Sequence, residues 1–173
     1  YKRQPMTLET VTLDKFSYGG ECFGRLADGR AVFVPFSLPG EQVEVRLVAE
    51  KKGYARAELV QVLQASPQRV TARCPHYQAC GGCHYQHLVY DQQLAAKTEI
   101  LADQLNRIGK IEAPLVRPAV PSPQPWNYRN TVQFHLTPEG KLGFQGQRSH
   151  QVVPIQECHL PEPILNQLWA TLD

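Results

Sequence analysis

The sequence lacks the features of a membrane or secreted protein. No run of apolar residues approaches the roughly 20 residues that a membrane-spanning helix needs. The first residues, Tyr1-Lys2-Arg3-Gln4-Pro5, have no apolar stretch of the kind found in signal peptides. We therefore expect a cytoplasmic protein without a membrane partner.

A strong excess of charge is also absent. The net charge of +2 is too small to indicate nucleic-acid binding by itself, because phosphate recognition requires a cationic surface and not only a positive sum. With 42% hydrophobic and 20% charged residues, the 173-residue chain has the composition of a folded protein with a buried core. Its length accommodates one ordinary domain or two small ones.

The five cysteines are an odd number, and three of them are crowded together. Cys74, Cys80 and Cys83 have the spacing C-x5-C-x2-C, with two glycines between the last two, and Cys158 follows far downstream. In a chain without a secretion signal, this pattern favours a metal or cluster site over a disulfide framework. An iron–sulfur cubane needs four thiolates, and glycine lets backbone amides approach the sulfurs.

Other interpretations of the cysteines stay open at this point. A zinc site with His76 or His84 as a ligand is one alternative, although zinc sites usually use two close cysteine pairs. A disulfide formed after oxidative loss of a cluster is another. Cys22 lies beside a glycine turn without a nearby partner, so we expect an ordinary thiol that is buried or partly exposed.

The first third of the chain predicts an all-β unit. Apolar and polar residues alternate over short segments, and glycine-rich turns separate these segments. Strands this short and evenly spaced usually close into a five-stranded barrel, because closure removes exposed edges. The predicted strands are Leu8–Leu13, Val32–Phe36, Val43–Leu47 and Ala55–Val62.

The remaining two thirds predict mixed structure. Leu94, Leu101, Leu105 and Ile108 recur at helical spacing between a cap at Asp91 and an end at Gly109. A proline-rich connector follows over 113–125. Short strands are expected at 132–136, 142–144 and 152–155, and a closing helix from about residue 162. The fold class is therefore α+β.

Several motifs resemble those of the RNA (uracil-5-)-methyltransferases, close to the branch that modifies 23S ribosomal RNA. Ser17–Cys22 and Val34–Glu41 are similar to parts of the family's TRAM domain, an RNA-binding barrel of the oligonucleotide-binding type. The three clustered cysteines and Gln86 resemble its 4Fe-4S motif, and Cys158 stands where the fourth ligand belongs. Residues 128–130, 143–144 and 149–153 resemble the start of its central domain.

The resemblance implies a TRAM-like barrel at 1–66, followed at 67–173 by the cluster segment and the start of a central domain with a small antiparallel β/α piece. The parent protein would be an S-adenosylmethionine-dependent methyltransferase. Its methyl-donor site and catalytic residues would lie in a C-terminal domain beyond Asp173, so no catalytic residue is assigned and the segment alone is predicted to be inactive. Its expected role is to bind ribosomal RNA, with transfer RNA as the alternative, as a monomer joined to the missing catalytic domain.

Candidate RNA contacts follow from residue type, since positive charge and aromatic rings on turns and strand ends suit phosphates and unpaired bases. They are Lys15, Phe16, Tyr18, Arg25, Arg30, Phe36, Lys51, Lys52, Tyr54, Arg56, Arg129 and His150.

Two hypotheses compete with the RNA-binding function. An iron–sulfur electron carrier is one, and a zinc-stabilised nucleic-acid-binding module is the other.

Overall fold

A computed structural model describes residues 8–172 of the chain. It divides into two compact units. Of the described residues, the first contains 8–70 together with His87–Ala119, and the second contains Thr71–Gln86 and 120–172. The sequence-based boundary at residue 66 differs from this division, because the segment 87–119 groups with the barrel and the cysteine triplet with the C-terminal part.

The first unit contains a closed five-stranded barrel, as the strand pattern predicted. Its strands are β1 (Leu8–Phe16), β2 (Cys22–Arg25), β3 (Ala31–Val34), β4 (Gln42–Glu50) and β5 (Tyr54–Gln64). They close in the order β1-β2-β3-β5-β4, and all neighbours are antiparallel except β3 and β5. Several strands extend beyond their predicted ends. The alternation of apolar and polar residues fades there, because both faces of the strand are exposed.

The barrel interior explains why these residues form strands. Alternate side chains point inward, among them Val32, Val34, Val43 and Val45, each 0% exposed. β-branched residues pack well on a pleated surface, which favours this arrangement. At Gly24 a side chain has no room, because a Cβ there would lie 2.7 Å from the carbonyl oxygen of Thr12. The barrel therefore requires glycine where β1 and β2 approach each other.

The long helix belongs to the first unit. Helix α1 spans Tyr90–Arg107, and its N-cap is Val89, which makes no side-chain capping bond. The prediction that Asp91 caps the helix is therefore wrong, because Asp91 lies inside the first turn. Gly109 follows the helix end, where its N–H donates to the carbonyl of Gln104 and a Cβ would lie 2.6 Å from the carbonyl oxygen of Leu105.

The second unit contains a small antiparallel sheet and a short helix. Strands β6 (His135–Leu136), β7 (Leu142–Gln145) and β8 (Val152–Pro154) form the sheet, and α2 spans Pro163–Trp169. Three rings make its core: Phe134 lies 4.5 Å from Trp169 and 5.3 Å from Phe144, between ring centroids. Within residues 8–172, we find no helix with the length and apolarity required to span a bilayer.

Candidate functional site

Four cysteines line one cavity in the second unit. The cavity has a volume of about 70 Å³, and Cys74, Cys80, Cys83 and Cys158 all contribute to its wall. It is several times larger than the ~15 Å³ that one water molecule needs. The rest of the lining includes apolar side chains at positions 132, 144, 155 and 160. The structure thus brings the distant cysteine to the same small space as the clustered three.

A strand-like contact holds the glycine pair of the cysteine motif in place. Cys80 forms an isolated β-bridge with Gly146, and the N–H of Gly81 donates to the carbonyl oxygen of Gln145 at 2.9 Å. A Cβ at Gly81 would lie 3.1 Å from the carbonyl oxygens of both Gln145 and Gly146. Glycine therefore permits a close approach between the cysteine motif and the end of β7.

Gly82 and Gln86 contact residues of the cysteine triplet directly. The N–H of Gly82 donates to the sulfur of Cys80 at 3.4 Å. The side-chain oxygen of Gln86 accepts the N–H of Cys74 at 3.0 Å, and the side chain of Gln86 also hydrogen-bonds Cys83. Since the oxygen of Gln86 is used by Cys74, its amide group is the donor that remains for the sulfur. Gln86 thereby joins two of the four cysteines.

Burial raises the pKa of three of the thiols. It does so for Cys80, against a hydrogen bond from Gly82, and for Cys83, against the hydrogen bond with Gln86. Burial also raises the pKa of Cys158, whose neighbours include Cys74 and Cys80. Desolvation disfavours the thiolate in each case. A bound metal centre would reverse this preference, because coordinating thiols are deprotonated.

A reciprocal pair of hydrogen bonds fixes Cys158. Its N–H donates to the side-chain oxygen of Asn166 at 3.4 Å, and the amide of Asn166 donates to the Cys158 carbonyl at 2.8 Å. Asn166 is on α2, so the short helix sets the position of the fourth cysteine.

The cavity also includes His76 and Arg129, whereas His84 lies outside it. Within residues 8–172, no group of three or more His, Cys, Asp or Glu is arranged to hold a single metal ion.

Cys22 is separate from this cavity. It is 0% exposed inside the barrel, and its thiol donates to the carbonyl oxygen of Ser37 at 3.1 Å. Burial raises the pKa of Cys22 strongly, which keeps the thiol neutral. The expectation of an ordinary buried thiol is confirmed.

The predicted RNA-contact residues of the barrel have different surroundings. Tyr18 is 76% exposed, and Lys51 and Lys52 are exposed between β4 and β5. Lys15 binds Asp103 at 2.9 Å. The guanidinium group of Arg30 binds the carboxylates of both Asp28 and Glu50, so its positive charge is largely compensated. The two adjacent lysines are therefore the clearest cationic feature of this set.

Two other members of the set contact rings or the core. Phe16 packs against the barrel core at the end of β1. Phe36 is 9% exposed, and its ring lies edge-on to His87 at 6.5 Å. The ring of Phe36 therefore offers little surface to RNA, and its contact with RNA stays a prediction; the backbone turns at this residue with a φ of +60°. In the second unit, Arg129 and His150 are exposed.

The structure adds two aromatic residues that the sequence did not single out. Phe23 and Phe33 are partly exposed on the outside of the barrel and lie 6.0 Å apart, while Tyr54 lies 6.1 Å from Phe33. Arg25 and Arg56, both predicted contacts, lie over Phe23 and Phe33 respectively. The signal in the sequence is that each phenylalanine alternates with small or β-branched core residues.

Comparison with known proteins finds a family model that is similar to the barrel segment. Residues 2–60 match the model of the TRAM domain. An uncharacterized RNA methyltransferase from Aquifex aeolicus is 44% identical over 167 residues, which cover 96% of this chain and 38% of that protein. A 23S rRNA (uracil(1939)-C(5))-methyltransferase from Methylococcus capsulatus is 35% identical and is covered to 39%.

A solved structure is similar as well. The tRNA (uracil-54, C5)-methyltransferase of Pyrococcus abyssi, determined in complex with S-adenosyl-L-homocysteine, matches with a TM-score of 0.57 and 30% identity. The match covers 91% of this chain and 34% of that protein. The chain thus spans little more than a third of the length of these relatives. Its barrel segment is similar to TRAM domains, and nearly all of its own length is similar to RNA methyltransferases.

Proposed function

We propose that this chain is the RNA-binding part of an S-adenosylmethionine-dependent RNA uracil-5 methyltransferase and that its four cavity cysteines hold a 4Fe-4S cluster. The observation that carries the proposal is the shared cavity of about 70 Å³ around Cys74, Cys80, Cys83 and Cys158. The TRAM match and the RNA methyltransferase relatives support the RNA-binding part.

The donor set fits an iron–sulfur cluster. Cubanes are ligated by four cysteine thiolates, and amide hydrogen bonds to the sulfurs tune them. The cavity offers four thiols, an N–H from Gly82 to Cys80 and the side chain of Gln86 beside Cys83. The cluster's contribution would be structural, since it ties Cys158 to a motif about 75 residues earlier and stabilises the fold by roughly 4 kcal/mol on the chain-entropy model for disulfides.

The parent enzyme would methylate C5 of a uracil. In such a reaction a cysteine thiolate would add to C6 of a flipped-out base, and C5 would take the methyl group of S-adenosylmethionine, which would leave as S-adenosyl-L-homocysteine. Removal of the C5 proton by a base would then expel the thiolate from C6. No cysteine of this chain is assigned to that chemistry. The contribution of this chain is to hold RNA through the barrel, with ribosomal RNA as the proposed substrate. Transfer RNA is the second candidate, because the Pyrococcus abyssi relative is a tRNA methyltransferase.

Metal analysis of anaerobically purified protein tests the cluster. Iron together with acid-labile sulfide is expected, with near four of each per chain as the cubane requires. Stoichiometric zinc without sulfide would establish the zinc-stabilised module instead. Reversible reduction by a physiological donor at a useful potential would instead support the electron-carrier hypothesis.

RNA binding is tested separately, with the Lys51→Ala/Lys52→Ala double variant. We expect the full chain to bind ribosomal RNA fragments with an affinity that falls as salt rises, and the double variant to bind more weakly. Each lost phosphate contact lowers the slope of log K against log salt by about 0.7 for single strands. Affinity that does not change with salt would contradict the electrostatic part of the proposal.

A further inference from the structure

Three aromatic rings form a row across the outer surface of the barrel. Phe23 is on β2, Phe33 is opposite it on β3, and Tyr54 is on β5, which pairs with β3 in parallel. Ring centroids are 6.0 Å apart for Phe23 and Phe33 and 6.1 Å apart for Phe33 and Tyr54. We call these three residues the ring row.

The ring row is not part of the barrel core. Along each strand the adjacent residues are the buried ones: Cys22 and Gly24 flank Phe23, and Val32 and Val34 flank Phe33. Side chains alternate across a strand, so the rings point away from the interior. Tyr54, at one end of the row, is 39% exposed. A contiguous group of partly exposed rings on an outer face is a feature of interaction sites.

Two guanidinium groups flank the row. The Arg25 guanidinium lies 5.6 Å from the centroid of Phe23, and that of Arg56 lies 6.0 Å from the centroid of Phe33. Each guanidinium therefore lies over its ring, at a distance near the outer limit of a cation–π contact. The nearly buried carboxylate of Glu21 binds Arg56 at 2.9 Å and fixes its position. Rings close to cations suit bases attached to phosphates.

The ring planes determine which nucleic acid fits. Phe23 and Phe33 are inclined by 60°, and Phe33 and Tyr54 by 79°. Bases in a continuous stack are parallel and rise about 3.4 Å per step, whereas these rings are inclined and stand about 6 Å apart. One uninterrupted stack cannot lie on all three. Each ring can instead receive a base that has left its neighbours, as in unpaired RNA.

We propose that the ring row is a binding site for single-stranded RNA, in which Phe23, Phe33 and Tyr54 stack separate unpaired bases while Arg25 and Arg56 border the backbone. This inference rests on the proposed RNA-binding function and specifies the form of RNA and the residues that receive it. Bases that stack weakly on each other are the better ligands, since they are released most easily. Uridine-rich single strands are therefore preferred over duplexes of the same length.

The test measures binding of the full chain to a fluorescein-labelled oligouridylate by anisotropy. A length of about 12 nucleotides lies within the ~4–16 that one barrel of this type covers. Phe33→Leu and Tyr54→Leu keep apolar volume but remove a ring, and each is expected to weaken binding roughly 5- to 150-fold. Their salt slope should equal that of the wild type, because no cation is lost. Val60→Ala, which removes exposed apolar surface from β5, is the control and should bind like the wild type.

The possible results distinguish a failure of the ring-row inference from a failure of RNA binding as a whole. If the wild type binds with a salt-dependent affinity but both ring variants bind equally well, the row serves packing or a protein contact and the inference is overturned. Tighter binding of a duplex than of the single strand would also overturn it. If the wild type binds no RNA at low salt, the proposed function fails and the inference with it. Circular dichroism verifies folding, and Tyr54→Leu, at the exposed end of the row, keeps the test valid should Phe33→Leu unfold the barrel.

Discussion

Acidification is expected to destabilise the barrel unit through one buried histidine. His87 is 3% exposed, and its Nε2–H donates to the carbonyl oxygen of Ser37 at 3.2 Å. A carbonyl only accepts, so the ring nitrogen is the donor. Burial lowers the pKa of His87 from 6.5 to about 4, with Arg69 lowering it further and Glu41 and the Ser37 hydrogen bond opposing the shift.

The size of the effect follows from the two pKa values. Between them the unfolded chain binds a proton that the folded chain does not, so the free energy of unfolding increases with pH in this window. The contribution of His87 to the free energy of unfolding is therefore complete above about pH 6.5, and it is lost as the pH falls toward about 4. Linkage gives a loss of about 2 kcal/mol between about pH 7.5 and about pH 5.

Urea denaturation at several pH values, followed by far-UV circular dichroism, measures this loss. His87→Gln keeps an N–H donor for Ser37 but cannot titrate, so its stability should change about 2 kcal/mol less than that of the wild type over the same range. His150→Gln, at an exposed position, should behave like the wild type. The lowered pKa of Glu41 acts only below about 4.5, outside this window. Identical pH dependence of wild type and His87→Gln would refute the reasoning.

Three further substitutions test other parts of the structure. Glu41→Ala removes a fully buried carboxylate that Arg69 binds at 2.6 Å, and should lower the free energy of unfolding in urea by about 3 kcal/mol; an unchanged value would contradict this. Gly24→Ala should cost about 1–3 kcal/mol in thermal unfolding because its methyl group meets the Thr12 carbonyl, whereas Gly53→Ala, with nothing within 4 Å, should change little. Gln86→Leu should speed iron release to a chelator by about 10-fold; release at the wild-type rate would show that Gln86 does not support the site.

Much of the barrel was predictable because its core follows a simple alternation. Val43 and Val45, or Ala55 and Ala57, mark the inward face in the sequence as clearly as in the structure. The start of α1 was not predictable from capping chemistry, because Val89 offers no side-chain acceptor. The grouping of α1 with the barrel depends on long-range packing, which no local pattern contains.

The cysteine cavity and the ring row also differ in how far the sequence predicts them. The spacing of the clustered cysteines and the position of Cys158 predicted a common site, and the structure places all four in one cavity. Tyr54 of the ring row was predicted as an RNA contact, but Phe23 and Phe33 were not, because they are mid-strand residues that look like core. Which of two alternating residues faces outward depends on barrel closure, and only the structure shows that Val34 is buried and Phe33 is not.

The central claim is that one cysteine far along the chain completes the site begun by the clustered three. Iron and acid-labile sulfide, measured per chain after anaerobic purification, test it in two matched variants. Cys158→Ser should lose most of both, whereas Cys22→Ser, which changes the thiol buried in the barrel, should retain the wild-type content. Equal iron and sulfide in Cys158→Ser and the wild type would contradict the account.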